Sequence, residues 1–176
     1  MYKRKIRSSS PMMTAFIITL GCLSTTSSSS LEADKNQELV WSTDGPSHMS
    51  NEGGIRLMEM SDNVIITRGS MEIRGDRAII ETIISSGEVS KVTVFGTPVH
   101  YQQQLDSSNM PVKGSSNSVS FYTDEDDGSS VVELEGDAVI ESPTSNFQCS
   151  AITYIAEQDL IRDTVGPCSG AFNSSN

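Results

Sequence analysis

The sequence is poor in the residues that most catalysis and nucleic-acid binding depend on. Its 176 residues include 2 histidines, 3 cysteines and 1 tryptophan, and aromatic residues make up only 6%. Basic residues are also scarce, since 12 Lys and Arg stand against 23 Asp and Glu, for a formal net charge of -11. Because nucleic-acid binding needs a cationic surface, this balance argues against a nucleic-acid partner. The 36% hydrophobic content is nevertheless sufficient for one packed domain.

Motifs for nucleophilic, phosphate or metal chemistry are also missing from the sequence. It contains no G-x-S-x-G, Walker, zinc-ligand or dinucleotide-binding pattern, and His48 and His100 have no partners nearby in sequence. The densest acidic cluster, Asp124–Gly128, lacks the spacing and the distal Glu of a calcium-binding loop, so we interpret it as a solvated hairpin turn. We therefore expect a protein that is not an enzyme and that uses no metal or cofactor.

Residues 1–33 have the composition of a secretory signal peptide. Met1–Arg7 is basic, Met12–Leu23 is mostly apolar, and small polar residues follow. The apolar run is shorter than the roughly 20 residues that span a bilayer, which favours a cleaved signal over a permanent anchor. Cleavage after Ser30 and cleavage after Ala33 both fit the pattern. Loss of all 33 residues would leave 8 basic and 22 acidic residues, a net charge of -14.

Export changes the interpretation of the three cysteines. Cys22 ends the apolar run, so a lipoprotein signal is a second possibility, although the residues before it fit that pattern poorly. Its removal leaves Cys149 and Cys168, an even pair in an oxidising compartment. A disulfide is favoured over a free or metal-bound pair, and its loop of about 20 residues would stabilise the fold by about 3 kcal/mol.

From Leu39 onward the sequence predicts short β-strands and no helix, because apolar and polar residues alternate between turn-forming residues. One apolar face on each strand requires two facing sheets or one rolled sheet, and an elongated β-jelly-roll fits best. The alternating residues are Met58, Met60, Val64 and Ile66; Met71 and Ile73; Val92, Val94, Val99 and Tyr101 around an expected turn at Gly96-Thr97-Pro98; Val119 and Phe121; Val132, Leu134, Ala138 and Ile140; and Ile152 and Tyr154.

The strands repeat along the chain. Met60–Ile66 lines up with Leu134–Ile140, and at the same offset of 74 residues Ile73–Gly75 meets Phe147–Cys149. A third copy, Val112–Gly114, lies between them, so Cys149 occupies a position where two other copies carry Gly. Degenerate repeats of short strands are typical of a stacked or rolled sheet.

The repeats resemble those of the LptA/OstA family, the periplasmic bridge of lipopolysaccharide transport. The resemblance covers about Leu39–Val165, and its segments follow in the order that the family shows. They are Asp62–Gly69, Ile73–Ala78, Gly96–Gln102 with its Gly-x-Pro pattern and aromatic-Gln end, Val112–Gly114, Gly136–Ile140 and Ile152–Tyr154.

This resemblance implies a twisted β-jelly-roll, open along one side, that forms a domain over residues 34–168 before a flexible tail at 169–176. It implies that lipopolysaccharide acyl chains occupy the apolar interior, since each exposed CH₂ costs roughly 0.8 kcal/mol in water. Methionine suits such a groove because its side chain adapts to varied shapes. The expected groove residues are Met58, Met60, Val64, Ile66, Met71, Ile73, Val132, Leu134, Ala138, Ile140, Ile152 and Tyr154.

The resemblance also implies partners at the open edges of the sheet. The candidate edges are Leu39–Trp41 and Leu160–Arg162, which would pair with inner- and outer-membrane Lpt components and with further copies of this chain, end to end. A Cys149–Cys168 bridge departs from the expected pattern, because it would pin the segment after the last strand against the sheet and so stiffen or limit the C-terminal docking edge.

Three other functions remain open from the sequence. The first is an inner-membrane-anchored, LptC-like partner on the same fold, which an uncleaved leader or a lipidated Cys22 would indicate. The second is a periplasmic carbohydrate enzyme with paired carboxylates, although no pair stands out. The third is a purely structural β-module that binds no lipid.

Overall fold

The structure, a computed structural model, describes residues 34–105 and 110–173. The proposed signal peptide and Cys22 lie outside the described residues. The described chain forms one antiparallel sheet of ten strands. They are β1 (Val40–Ser42), β2 (Ser47–Glu52), β3 (Ile55–Arg68), β4 (Met71–Ile83), β5 (Val89–Gln104), β6 (Pro111–Thr123), β7 (Ser130–Glu141), β8 (Ser145–Ile155), β9 (Leu160–Val165) and β10 (Ser169–Phe172).

The strands from β3 to β8 are neighbours in the sheet in the order in which they follow along the chain, so the sheet is a meander of hairpins. Each end of the meander is covered by two short strands, with β1 and β2 both pairing with β3, and β9 and β10 both pairing with β8. The prediction of an all-β fold made of antiparallel strands is thereby confirmed. Within the described residues, no helix is both long enough and apolar enough to span a bilayer.

A line of β-bulges crosses the middle of the long strands. Asp62 and Asn63 both lie in the left-handed backbone region, with φ of 69° and 53°, and the repeat-related Gly136 and Asp137 do the same, with φ of 79° and 52°. An extra residue on one strand bends it and increases its twist. The register shifts fall at Ser61/Val64, Arg74/Arg77, Phe95/Val99, Ser115/Ser118 and Glu135/Ala138.

The bulges divide the sheet into two wings that fold over each other. The β2 wing carries β2 and β9, and the β1 wing carries β1 and β10. Gly114 in the β1 wing lies so close to Leu134 in the β2 wing that a Cβ on Gly114 would be 2.8 Å from the Leu134 Cδ2. The two inner faces therefore pack directly against each other, and we call the folded sheet the roll.

The segment Gly96–Pro98 differs from its expected role as a turn. It lies inside the continuous strand β5 and forms the bulge between Phe95 and Val99. Pairing with β4 resumes beyond it, at His100, so the chain changes direction without leaving the sheet. A Cβ on Gly96 would be 3.3 Å from the Cα of Gly75, which shows how closely the bulges of neighbouring strands approach.

The C-terminal region also differs from the expectation of a flexible tail from residue 169. Ser169–Phe172 form β10, which pairs with the Ser145–Gln148 part of β8. The rings of Phe147 and Phe172 meet edge to face, with centroids 5.4 Å apart. Backbone pairing and this aromatic contact order a segment whose own sequence, rich in Ser and Gly, gives little sign of a strand.

Candidate functional site

The inner face of the roll contains all twelve residues expected to line the groove. Met58 is 8% exposed and the other eleven are 1% exposed or less. They come from β3, β4, β7 and β8, so they extend along the roll from one covered edge to the other. The structure thus places them together as one apolar surface, and their contact with lipid stays a prediction.

The inner face is larger than the expected set. On β4, β5, β6 and β8 the bulge switches which residues point inward, from odd to even numbers or the reverse, so alternation followed from one end of a strand misses the other end. Six of the further buried residues, on β5 and β6, already belong to the alternating pattern of the sequence, whereas the pattern has to be restarted beyond the bulge to find Ala78, Ile80, Val112 and Cys149. The further buried members are Ala78, Ile80, Val92, Val94, Val99, Tyr101, Val112, Val119, Phe121 and Cys149.

The polar atoms on this inner face have partners within the chain. The Tyr101 hydroxyl donates to Gln103 Oε1 at 2.7 Å, and the Tyr154 hydroxyl donates to Asp159 Oδ1 at 2.9 Å. Burial raises the pKa of both phenols, and nearby carboxylates add to the shift, so both remain protonated donors. The surface therefore offers shape and apolar area to a ligand rather than specific charge.

The two wings face each other at the ends that carry the turns between their strands, and we call the line between these ends the mouth. The segment Asp34–Gln37 lies across the mouth. At the end of the β1 wing, the Asp34 carboxylate accepts hydrogen bonds from the Ser70 backbone N–H at 3.0 Å and from the Ser70 hydroxyl. It also accepts from Gln103 Nε2 at 3.4 Å. Asp34 is buried by these contacts.

The next residue reaches the opposite side of the mouth. Lys35 Nζ lies 3.0 Å from Glu157 Oε1 and donates to the Gly128 carbonyl at 3.1 Å, both at the end of the β2 wing. Glu157 also accepts from the Ser130 backbone N–H at 3.0 Å. Burial by itself would raise the pKa of Glu157, but hydrogen bonds from Ser130 and Lys35 outweigh it and hold the pKa below its usual value.

Arg68 joins the crossing segment to both wings. Its guanidinium donates to the carbonyls of Lys35 and Gln37, and it lies 6.0 Å from the centre of the Phe121 ring. Arg68 belongs to β3 in the β1 wing, whereas Phe121 belongs to β6 in the β2 wing, so this contact bridges the mouth. Beside it a cleft of about 510 Å³ opens to solvent between Leu39 and Val89.

The two covered edges of the sheet expose apolar side chains. At the first edge these are Val40, Trp41 and Met49, and at the last edge Leu160, Val165 and Phe172. The expected edge segments therefore lie in or beside β1 and in β9, and the structure adds β2 and β10 to them. Exposed apolar side chains beside unpaired backbone groups are typical of surfaces that take a further strand.

The acidic turn is not simply solvated, because Arg162 of β9 binds it. Arg162 Nη1 donates to Asp124 Oδ2 at 2.6 Å, and Nη2 donates to Asp127 Oδ2 and Ser129 Oγ, each at 3.0 Å. The hydrogen bond from Arg162 holds the pKa of Asp124 below its usual value. The turn thus anchors the last strand of the β2 wing, which its sequence alone does not indicate.

Cys149 and Cys168 form a disulfide between β8 and the residue preceding β10. Cys149 is buried on the inner face at the position that repeats as Gly75 and Gly114, and Cys168 is exposed. The bond ties the start of β10 covalently to β8, beside the bulge line.

A known protein family matches much of the chain. Residues 53–159 match the family model described as LptA/(LptD N-terminal domain) LPS transport protein. This range runs from the turn before β3 to the turn after β8, so it contains the whole meander and excludes the four covering strands.

Individual proteins are also similar to this chain in sequence or in structure. The chain is 31% identical to the lipopolysaccharide export system protein LptA of Haemophilus influenzae over 84% of this chain and 81% of that protein. It is 26% identical to the protein of the same name from Escherichia coli K12, over 68% of this chain and 65% of the relative. Among solved structures, it resembles LptH, the LptA homologous periplasmic component of the lipopolysaccharide transport device of Pseudomonas aeruginosa. That match has a TM-score of 0.64 at 14% identity and covers 80% of this chain and 99% of LptH.

Proposed function

The chain belongs to the family of LptA and the LptD N-terminal domain, which are lipopolysaccharide transport proteins, and on this premise we propose how its roll carries the lipid. It is an LptA-type periplasmic transport protein and not an enzyme. In the proposed mechanism the acyl chains occupy the space between the two wings, while the sugars remain in water. The observation that supports this most directly is the unbroken apolar inner face, which continues from β3 to β8.

The physical basis is the cost of exposing hydrocarbon. A multiply acylated lipid leaving a membrane exposes many CH₂ groups, each costing roughly 0.8 kcal/mol in water. An interior built from Met, Val, Ile and Leu offsets that cost without directional bonds, so a lipid can slide along it. The acidic exterior repels anionic headgroups, so affinity arises mainly from the buried chains.

Loading requires the wings to separate, because their inner faces pack together. The contact between Gly114 and Leu134 and the bridge from Arg68 to Phe121 must both open to admit an acyl chain. The lipid then replaces side-chain contacts between the wings with contacts to its own chains. This exchange keeps the apolar surface covered in both states.

The edges are proposed to contact the rest of the transport machinery. The unpaired outer sides of β1 and β2, and of β9 and β10, would each receive a strand from an Lpt component or from another copy of this chain. The inner face would then continue from one protein into the next. The Cys149–Cys168 bond keeps β10 in place, so a partner adds to the outside of β10 rather than replacing it.

Neighbouring isoleucines on β3 provide a matched test of the lipid path. Ile66 is fully buried on the inner face, whereas Ile65 points to the outer side and is partly exposed. A photo-crosslinking residue at position 66 should capture lipopolysaccharide in the periplasm, and one at position 65 should not. Leu134 and Glu133 on β7 form a second pair with the same expectation.

Equal capture at inner and outer positions would reject the interior as the lipid path. Native mass spectrometry of the periplasmic protein supplies an independent measure, since a bound lipopolysaccharide adds a defined mass. An exported protein that never carries lipid would instead favour a structural module.

A further inference from the structure

The mouth of the roll is closed by a short polar segment, although the surface beneath it is apolar. Asp34–Gln37 contains no apolar side chain, yet it covers the approach to Met71 and Phe121 of the inner face. The segment is fastened at both sides, by Asp34 to the β1 wing and by Lys35 to the β2 wing. Its position therefore depends on polar contacts that water or a ligand can replace.

We propose that Asp34–Gln37 is a displaceable latch, and that it covers a lateral portal between Arg68 and Phe121 through which acyl chains enter the roll. This inference rests on the proposed function and adds the place of entry and the element that controls it. At the portal the two wings are joined by the contact between Arg68 and the Phe121 ring, and not by backbone hydrogen bonds between strands. Opening it breaks no hydrogen bond between adjacent strands.

The contacts around the latch determine how it moves. Leu39, two residues after the latch, packs against the hydrophobic core, and β1 begins at Val40, so the segment is held at this end when it lifts. Release of Arg68 from the carbonyls of Lys35 and Gln37 accompanies lifting, because the guanidinium binds the latch backbone. The cleft of about 510 Å³ next to Arg68 gives an approaching lipid access to this point.

Hydrogen exchange on the wild-type protein gives a direct measurement. The Ser70 backbone N–H donates to Asp34, so it is protected while the latch is closed. Binding of lipopolysaccharide should speed exchange at Ser70. Exchange at Ser145, whose N–H lies in a turn at the same end of the β1 wing and bonds within that turn, should not change.

Two latch variants test the kinetic role. Asp34→Ala removes the hydrogen bonds of the Asp34 carboxylate to Ser70 and Gln103 in the β1 wing, and Lys35→Met removes the side-chain contacts of Lys35 to the β2 wing while keeping an apolar stem. If latch opening limits entry, each should raise the association rate of fluorescently labelled lipopolysaccharide about tenfold, which corresponds to about 1.4 kcal/mol. Asp76→Ala and Lys113→Met, which change the same charges at exposed positions on β4 and β6, are the matched controls and should leave the rate unchanged.

The outcomes separate the latch from the proposed function. Lipid binding with unchanged Ser70 protection, and with latch variants that load at the control rate, would overturn the latch and leave the carrier function standing. Absence of lipid binding by the wild-type protein in native mass spectrometry would overturn the carrier function, and the latch with it. Should Asp34→Ala fail to fold, Lys35→Met and the wild-type exchange measurement decide the question.

Discussion

The contact between Gly114 and Leu134 predicts a specific energetic coupling between the two wings. In Gly114→Ala the new Cβ would lie 2.8 Å from Leu134 Cδ2 and 3.3 Å from Tyr101 Cδ1, both shorter than an ordinary carbon–carbon contact of about 3.5–4.0 Å. Leu134 is completely buried, so its side chain cannot turn out to solvent. We expect Gly114→Ala to lower the free energy of unfolding by about 1–3 kcal/mol through overpacking.

Leu134→Ala should by itself cost about 2–5 kcal/mol, because it leaves a cavity between the wings. In the double variant the methyl group at position 114 occupies part of that cavity and no longer meets Leu134. The combined loss should therefore be smaller than the sum of the single losses by at least about 1 kcal/mol. Urea-induced unfolding followed by circular dichroism measures all four members of this cycle.

The control cycle pairs Gly114→Ala with Ile66→Ala. Ile66 also lies on the inner face but is not among the nearest neighbours of a Cβ at position 114, so these two losses should add within about 0.5 kcal/mol. Additive losses for the Gly114 and Leu134 pair as well would refute the close approach of the wings at this point. The folding-over of the sheet would then need another explanation.

Three further perturbations have defined outcomes. Cys168→Ser should lower the free energy of unfolding by about 3 kcal/mol, since the bond closes a loop of 19 residues, and reductant should destabilise the wild type but not this variant in urea titrations. Arg162→Ala should speed hydrogen exchange in β9 but not in β10, because only β9 is anchored to the acidic turn, whereas equal acceleration in both strands would contradict that assignment. The depressed pKa of Glu157 contributes stability above its ordinary value of 4.5 that is lost as the pH falls through the lower, folded-state pKa. The melting temperature of Glu157→Gln should consequently depend less on pH below 4.5 than that of the wild type. The exposed control Glu135→Gln should behave like the wild type, and identical pH profiles for all three proteins would contradict the role of Glu157.

The sequence was sufficient to predict the fold class and much of the inner face. Alternation worked best on β3 and β7, where the left-handed pairs Asp62-Asn63 and Gly136-Asp137 leave the same numbering parity pointing inward on both sides of the bulge. On β4 the parity changes after Gly75, so Ala78 and Ile80 were missed. Periodicity describes a regular strand, and it fails where the strand reverses at the bulge line which parity points inward.

The mouth could not be predicted from local patterns. Asp34 meets Ser70, 36 residues away, and Lys35 meets Gly128, 93 residues away. Such pairs form only after the sheet has bent, and single charged residues near the start of a domain carry no periodic signal. The role of Arg162 in binding the acidic turn was hidden for the same reason, because the turn and β9 come together only through β8.

The two covered edges have a consequence for unwanted association. Each edge consists of two short strands joined by a proline-containing link, with Pro46 between β1 and β2 and Pro167 between β9 and β10. The unpaired backbone groups therefore form two short rows that change direction at the bulge line, instead of one long straight row. A flat strand from an unfolded or aggregating chain can pair with only one of these rows, whereas a strand bent at the same place can pair with both. The shape of the edge thus selects partners of matching curvature and limits fibril-like growth in a crowded compartment.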